Sequence, residues 1–114
     1  MARYGDGNQW FSVDAVADTV VVTAGGFWSA EFSAELNPAV MAALRASGRG
    51  TRLIFDLANL RTLRDEGQLA FKSLVIHALA GGAPEVVVRA SSALTRLQML
   101  RMARELNRRE VRVE

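Results

Sequence analysis

Apolar and polar side chains alternate from Gln9 to Val16, with Trp10, Ser12 and Asp14 on one side and Phe11, Val13 and Ala15 on the other. A period of two is the mark of a half-buried strand. Ala17-Asp18 makes a turn, and Thr19 to Ala24 forms a second strand ended by Gly25-Gly26, so the pair reads as a hairpin. The period then lengthens. Ser29 is a suitable N-cap, and Phe32, Leu36, Val40, Met41 and Leu44 recur at helical spacing behind it. Pro38 lacks an N–H and crowds the preceding turn; with Asn37 before it as a cap, it predicts a kink or break. Ser47 to Gly50 ends the helix, and Arg52 to Leu57, flanked by breakers, reads as a buried central strand.

From Asp65 to about Leu79 the chain is apolar on almost every side: Leu69, Phe71, Leu74, Val75, Ile76 and Leu79 do not keep to one stripe. A helix of that kind is expected to be covered on two sides, by the last helix or by a second copy of the chain. Gly81-Gly82 ends it, and Pro84 leads into a buried strand at Glu85 to Ala90. Ser92 caps a last helix over 93–107 that turns Met99, Met102, Ala103 and Leu106 inward and Arg101, Arg104 and Arg108 outward. Glu110 to Glu114 alternates about Val111 and Val113 as a closing edge strand. The order β-β-α-β-α-β-α-β predicts an α/β single domain, with a mostly parallel central sheet, right-handed crossovers and helices packed on the sheet. Residues 1–8 lack an apolar pattern and read as a flexible leader to a domain spanning 9–114.

With 114 residues, half of them apolar, the chain suits one domain with one core. No apolar run approaches the length of a membrane span and the N-terminal residues hold no signal-like apolar segment, so a cytoplasmic protein without membrane insertion is expected. The absence of cysteine removes disulfides, thiolate metal sites and thiol catalysis. Charge is uneven: residues 1–88 carry seven basic and nine acidic side chains, whereas 89–114 carry seven arginines against Glu105, Glu110 and Glu114. A basic tail can serve nucleic acid, but arginines spaced along one helix face are first a solvated surface.

Two carboxylates, Asp65 and Glu66, open the apolar helix, where they complement the positive end of its dipole. They lie just beyond the carboxyl end of a central strand, where partners usually meet such folds. Adjacent on a helix, they point about 100° apart, which suits capping or partner contact better than acid–base work on one substrate. His77 is the single histidine and has no metal-binding or triad company in the sequence, so a surface or packed structural role is expected. Gly25-Gly26 and Gly81-Gly82 match no phosphate-loop spacing and read as turns. Trp10, Phe27, Trp28, Met99 and Met102 read as core.

The element order, the segment Asp56-Leu57-Ala58-Asn59-Leu60 with the Gly67 that follows it, and the segment Val86 to Leu100 together resemble the STAS domain of bacterial anti-sigma-factor antagonists. That family's strand, loop and helix read Asp-Leu-Ser-x-Val-x-Phe-Ile-Asp-Ser-Ser-Gly-Leu. The first Asp falls on Asp56, the Leu on Leu57 and the Gly on Gly67, while the family's Asp-Ser-Ser becomes Arg64-Asp65-Glu66. Asp65 therefore stands at the place of the serine that partner kinases phosphorylate, and it cannot be phosphorylated. The resemblance implies a non-enzymatic regulatory interaction module without a cofactor. Its partner is a protein, a kinase-type anti-sigma factor or another regulator, contacting Thr62, Arg64, Asp65, Glu66, Gly67 and Gln68 and the exposed side of the helix over 69–79. A homodimer through residues 68–79 is a related expectation. The alternative is a small apolar-ligand or lipid-binding domain of the same architecture, with its cavity between the first helix and the sheet. Nucleic-acid binding through Arg101, Arg104, Arg108, Arg109 and Arg112 ranks last.

Overall fold

The computed structural model describes residues 2–5, 9–61 and 63–114. In chain order the elements are β1 (Ala2–Gly5), β2 (Gln9–Val16), β3 (Thr19–Gly26), α1 (Ala30–Ser47), β4 (Arg52–Leu60), α2 (Asp65–Ala80), β5 (Val86–Arg89), α3 (Ala93–Leu106) and β6 (Val111–Val113). The six strands form one sheet in the order β1-β2-β3-β4-β5-β6. The first two pairings are antiparallel and the next three parallel, so the sheet is mixed.

Alternation along each strand decides which face is covered. Phe11 and Val13 of β2, Val20 and Val22 of β3, Leu53 and Phe55 of β4, and Val86 and Val88 of β5 point to one side and are buried. There they form a single core with Phe32, Leu36 and Val40 of α1, Phe71, Leu74 and Val75 of α2, and Met99 and Met102 of α3. All three helices thus lie on one face of the sheet, as crossovers of one hand require when strand order follows chain order. Aromatic rings fill its centre: Phe71 meets Phe55 at 4.8 Å between centroids and Trp28 at 5.4 Å, the latter edge to face.

The other face is built differently. Where β3, β4 and β5 pair, Val21, Ile54 and Val87 stand side by side on it, in the register Val21↔Ile54↔Val87↔Arg112. A chain of ion pairs runs beside them: Arg52 to Glu85 at 3.2 Å, Glu85 to Arg112 at 3.0 Å, Arg112 to Glu114 at 3.3 Å, and Glu114 to Arg89 at 3.1 Å. Val87 is only 1% exposed although no helix covers it. Arg112 stands opposite Val87 in the register, and a long arginine stem can lie over an apolar neighbour while its charged end stays wet.

Three expectations are corrected. Residues Ala2–Gly5, expected to belong to a flexible leader, form a strand paired with β2, Ala2 opposite Val13 and Gly5 opposite Trp10. Residues 1 and 6–8 lie outside the described residues. The helix expected to break at Pro38 is one helix from Ala30 to Ser47. Phe32, Leu36 and Val40 anchor the turns on either side of Pro38 in the core, and the carbonyl that loses its donor belongs to exposed Ala34, which water can satisfy. The buried area therefore outweighs a proline penalty of about 3 kcal/mol. Asn37 caps nothing, and its Oδ1 is buried without a partner. Finally, the last helix does not cover the second side of α2: within the single chain Leu69 and Ile76 are exposed.

Candidate functional site

Strand β4 bends before it delivers the chain to the site. Its register with β3 shifts between Thr23 and Gly25, and the Asp56 carboxylate accepts the Ala58 N–H at 3.2 Å, holding the irregular segment. Ser91 closes the same segment from the other side, its hydroxyl donating to the Ala58 carbonyl at 2.8 Å. The match of Asp56 to the motif thus has a structural use in the strand. Beyond β4, the Arg61 N–H donates to the Gly26 carbonyl at 2.9 Å, and the Arg61 guanidinium stacks on exposed Phe27, 4.8 Å from the ring centroid. Thr62 lies outside the described residues.

Leu63 is the pin of this loop. Its side chain is 2% exposed. Its N–H donates to Gln98 Oε1 at 3.2 Å, and its carbonyl accepts from Gln98 Nε2 at 2.9 Å and from Gln68 Nε2 at 3.2 Å. A glutamine on α3 therefore fixes the loop in front of α2 through both backbone groups of one residue. Helix α2 then starts at Asp65 with Arg64 in the cap position, an extended residue whose side chain makes no capping bond. The free N–H groups of the first turn are served instead by the charges of Asp65 and Glu66, both exposed.

Gly67 is buried. A Cβ there would stand 3.1 Å from the Trp28 carbonyl oxygen and 3.3 Å from a Leu63 methyl, so the glycine lets α2 approach the chain entering α1. Of the expected contact residues, Arg64, Asp65 and Glu66 present their side chains to solvent, while Gly67 and Gln68 set the position of the helix that carries them.

The surface continues along α2. Leu69 is 68% exposed, and Ile76, seven positions on, shares its side of the helix. Between α2 and α3 runs a groove of about 350 Å³ bordered by Asp65, Leu69, Lys72, Arg101, Met102 and Glu105. Lys72 and Arg101 reach Glu105 at 3.6 and 4.0 Å across and along it. Earlier in α3, Leu94 and Leu97 are exposed, Leu97 by 63%. These two leucines escape a reading of α3 as an arginine face over a methionine core. The only sequence sign of them is their spacing of seven and four residues before Arg101.

His77 is exposed, and Met99 and Met102 are buried. Trp28 is buried, its indole N–H donating to Ser33 at 2.6 Å, whereas Phe27 is exposed and Trp10 half-buried on the outer sheet face, so the core assignment holds for Trp28 alone among these aromatics. Arg101, Arg108 and Arg112 are each engaged by glutamates, which reduces the charge open to a phosphate backbone. The Arg108 side chain, hydrogen-bonded to Glu110, together with a backbone N–H, holds the Glu110 carboxyl below the usual carboxylate range. Beside α1 at the sheet edge, where the ligand alternative places its cavity, a shallow depression is lined by Val13, Ala15, Ala39, Ala42, Ala43 and Ala46. No helix among the described residues is long and apolar enough to cross a membrane. No protein-family model matches the sequence, and comparison with curated proteins finds no match.

Proposed function

We propose that the domain is a non-enzymatic regulatory interaction module of the STAS type, binding a protein partner at the N-terminal half of α2 and the groove beside it. The observation that carries this reading is the continuity of one surface. Exposed Asp65 and Glu66 at the helix start run into exposed Leu69 and the groove that Lys72, Arg101 and Glu105 border, on a backbone that Gln98 and Gly67 hold in place. Helix α3 carries exposed Leu94 and Leu97 seven and four residues before Arg101. Apolar side chains surrounded by charge, on a rigid element, are what a specific contact requires, because the apolar centre supplies affinity and the charged rim supplies orientation. A partner fitting it would bring a basic side chain to Asp65 and Glu66 and an apolar one to Leu69. A regulator of the kinase-type anti-sigma class is the partner that the resemblance implies, and with Asp65 at the phosphorylatable position the contact carries a permanent negative charge there.

The test compares wild type, Asp65→Arg and Leu69→Ser in pull-downs from the source cell, with sedimentation velocity on the same proteins. Both side chains are exposed, and removing the Asp65 charge should cost about 0.3–1 kcal/mol of stability at most, so each variant should fold. Each should lose the partner retained by wild type. Retention of the same protein at the same yield by both variants would overturn the proposal, and concentration-dependent dimers lost in Leu69→Ser would make a second copy the occupant instead.

A further inference from the structure

At the opposite pole of the sheet, where α1 and α2 end and β4 and β5 begin, lies a cavity of about 400 Å³ that plays no part in the surface described above. Helical spacing assembles it. Met41, Leu44 and Arg45 stand at positions i, i+3 and i+4 of α1, and Ala78 of α2 and Ala83 of the following turn face them. Apolar side chains make the floor, and two arginines, Arg45 and Arg49, stand at the rim.

Neither cation is neutralised by a neighbour. Arg52, Arg89, Arg101, Arg108 and Arg112 are paired with glutamates, whereas Arg45 and Arg49, like Arg61, Arg64, Arg96, Arg104 and Arg109, have no ion-pair partner among the described residues. Of these, only Arg45 and Arg49 line this cavity. Helix ends do not use them up either. The Leu44 carbonyl is taken by the Gly48 N–H, and the His77, Ala78 and Leu79 carbonyls by the N–H groups of Gly81, Ala83 and Gly82. Arg49 is nonetheless placed. Its Nε and Cζ lie 3.4 and 3.5 Å from where a Cβ on Gly82 would stand, and Gly82 has a φ of 100°, which only glycine adopts without strain. The turn after α2 thus leaves room for a guanidinium over the mouth of an apolar cavity.

From this geometry we infer a binding site for a small amphiphilic carboxylate, whose apolar body fills the cavity and whose head pairs with Arg45 and Arg49. A cavity near the lower end of the size range of small-molecule sites, apolar inside with a few polar groups at one end, fixes such a ligand in one orientation. A guanidinium binds a carboxylate through paired N–H donors, so the head group adds specificity as well as affinity. The site is independent of the interaction surface at Asp65, and either can fail alone.

Sodium decanoate is the probe, titrated into the full chain by calorimetry and followed by amide shifts, with 1-decanol as the uncharged control. The expected result is saturable one-site binding with shifts confined to residues 41–51 and 78–83. The double variant Arg45→Gln/Arg49→Gln should weaken decanoate by about tenfold or more and leave decanol unchanged. Met41→Trp should occlude the cavity to both probes. Both arginines are on the surface side of the rim, so the double variant should fold, which the amide spectrum checks directly. Absence of saturable binding, shifts gathered instead at the Leu69–Arg101 groove, or equal decanoate affinity in the double variant would overturn the inference. It fails equally if the chain sediments with anionic vesicles to the same degree with and without Met41→Trp while free decanoate does not bind.

Discussion

Gln98→Ala removes one side chain from α3 and should be felt 35 residues away. Gln98 accepts the Leu63 N–H at 3.2 Å and donates to the Leu63 carbonyl at 2.9 Å. After truncation the carbonyl keeps its bond from Gln68, so its loss is small. The N–H keeps nothing, and beside a side chain that is 2% exposed it has poor access to water. A net neutral hydrogen bond contributes about 1 kcal/mol and an orphaned buried donor costs about 1–3 kcal/mol, so the change should destabilise by about 2 kcal/mol. For a domain of this size that is about 8 °C in Tm. Urea unfolding should show a lower midpoint at unchanged slope, and the Leu63 amide should exchange with deuterium well ahead of the amides of β4. Gln98→Glu sharpens the test. An ionised carboxylate still accepts the N–H, but its second oxygen then faces the Leu63 carbonyl, which disfavours the charged form and raises the introduced group's pKa on folding. The variant should therefore approach wild-type stability at acidic pH and lose it as pH rises through that raised value. An unmoved midpoint together with unchanged Leu63 exchange in Gln98→Ala would refute the reasoning.

Glu110 should titrate below the usual carboxylate range by NMR; with its folded pKa depressed, its contribution to stability is present above the unfolded value and lost as pH falls through the folded one, and Arg108→Gln should move the midpoint up toward normal, the backbone N–H keeping part of the depression. Glu85 joins Arg52 and Arg112, so Glu85→Gln should cost about 1 kcal/mol or less in dilute buffer and still less in molar salt, checked by paired urea melts. In the interaction surface, Asp65→Ser should keep part of the binding that Asp65→Arg loses, since it removes a charge without opposing one; equal loss in both would argue that Asp65 itself is the anchor.

Local signals in the sequence proved reliable where the structure obeys local rules. Ser29 and Ser92 cap α1 and α3 as their position before an apolar period implied, with side chains accepting from Phe32 N and Thr95 N. Asp65 and Glu66 likewise open α2. Pro38 misleads because its penalty is local while the burial that overrides it is shared among Phe32, Leu36 and Val40 and the strands below. Strand β1 is invisible because four residues are too few to show a period, and its pairing is made by backbone. Composition shows that α2 is apolar throughout, yet only packing decides that Phe71 and Leu74 go inward while Leu69 and Ile76 stay out. Nothing in a helix sequence marks Gln98 as the clamp on a distant loop, since a glutamine there satisfies any surface pattern. The arginine-rich composition, without evident meaning as a count, becomes intelligible once Arg52, Arg89 and Arg112 are seen spread over the uncovered side of the sheet.

The strand order has a consequence for how the chain assembles. Each strand after the first hydrogen-bonds to the strand just before it in the chain, and no strand is inserted between two earlier ones. Each pairing step therefore closes one loop, at most a single helix long, and the closure entropy rises only slowly with loop length. A nascent chain leaving a ribosome can add strands in the order they emerge, each finding a finished edge to extend. Apart from the outer edge of β1, the exposed template at every stage is the latest strand, and the next segment to appear is the one that covers it. Premature pairing with a foreign strand is then a race against the next crossover, which ties the aggregation risk of this domain to the speed at which α1, α2 and α3 form.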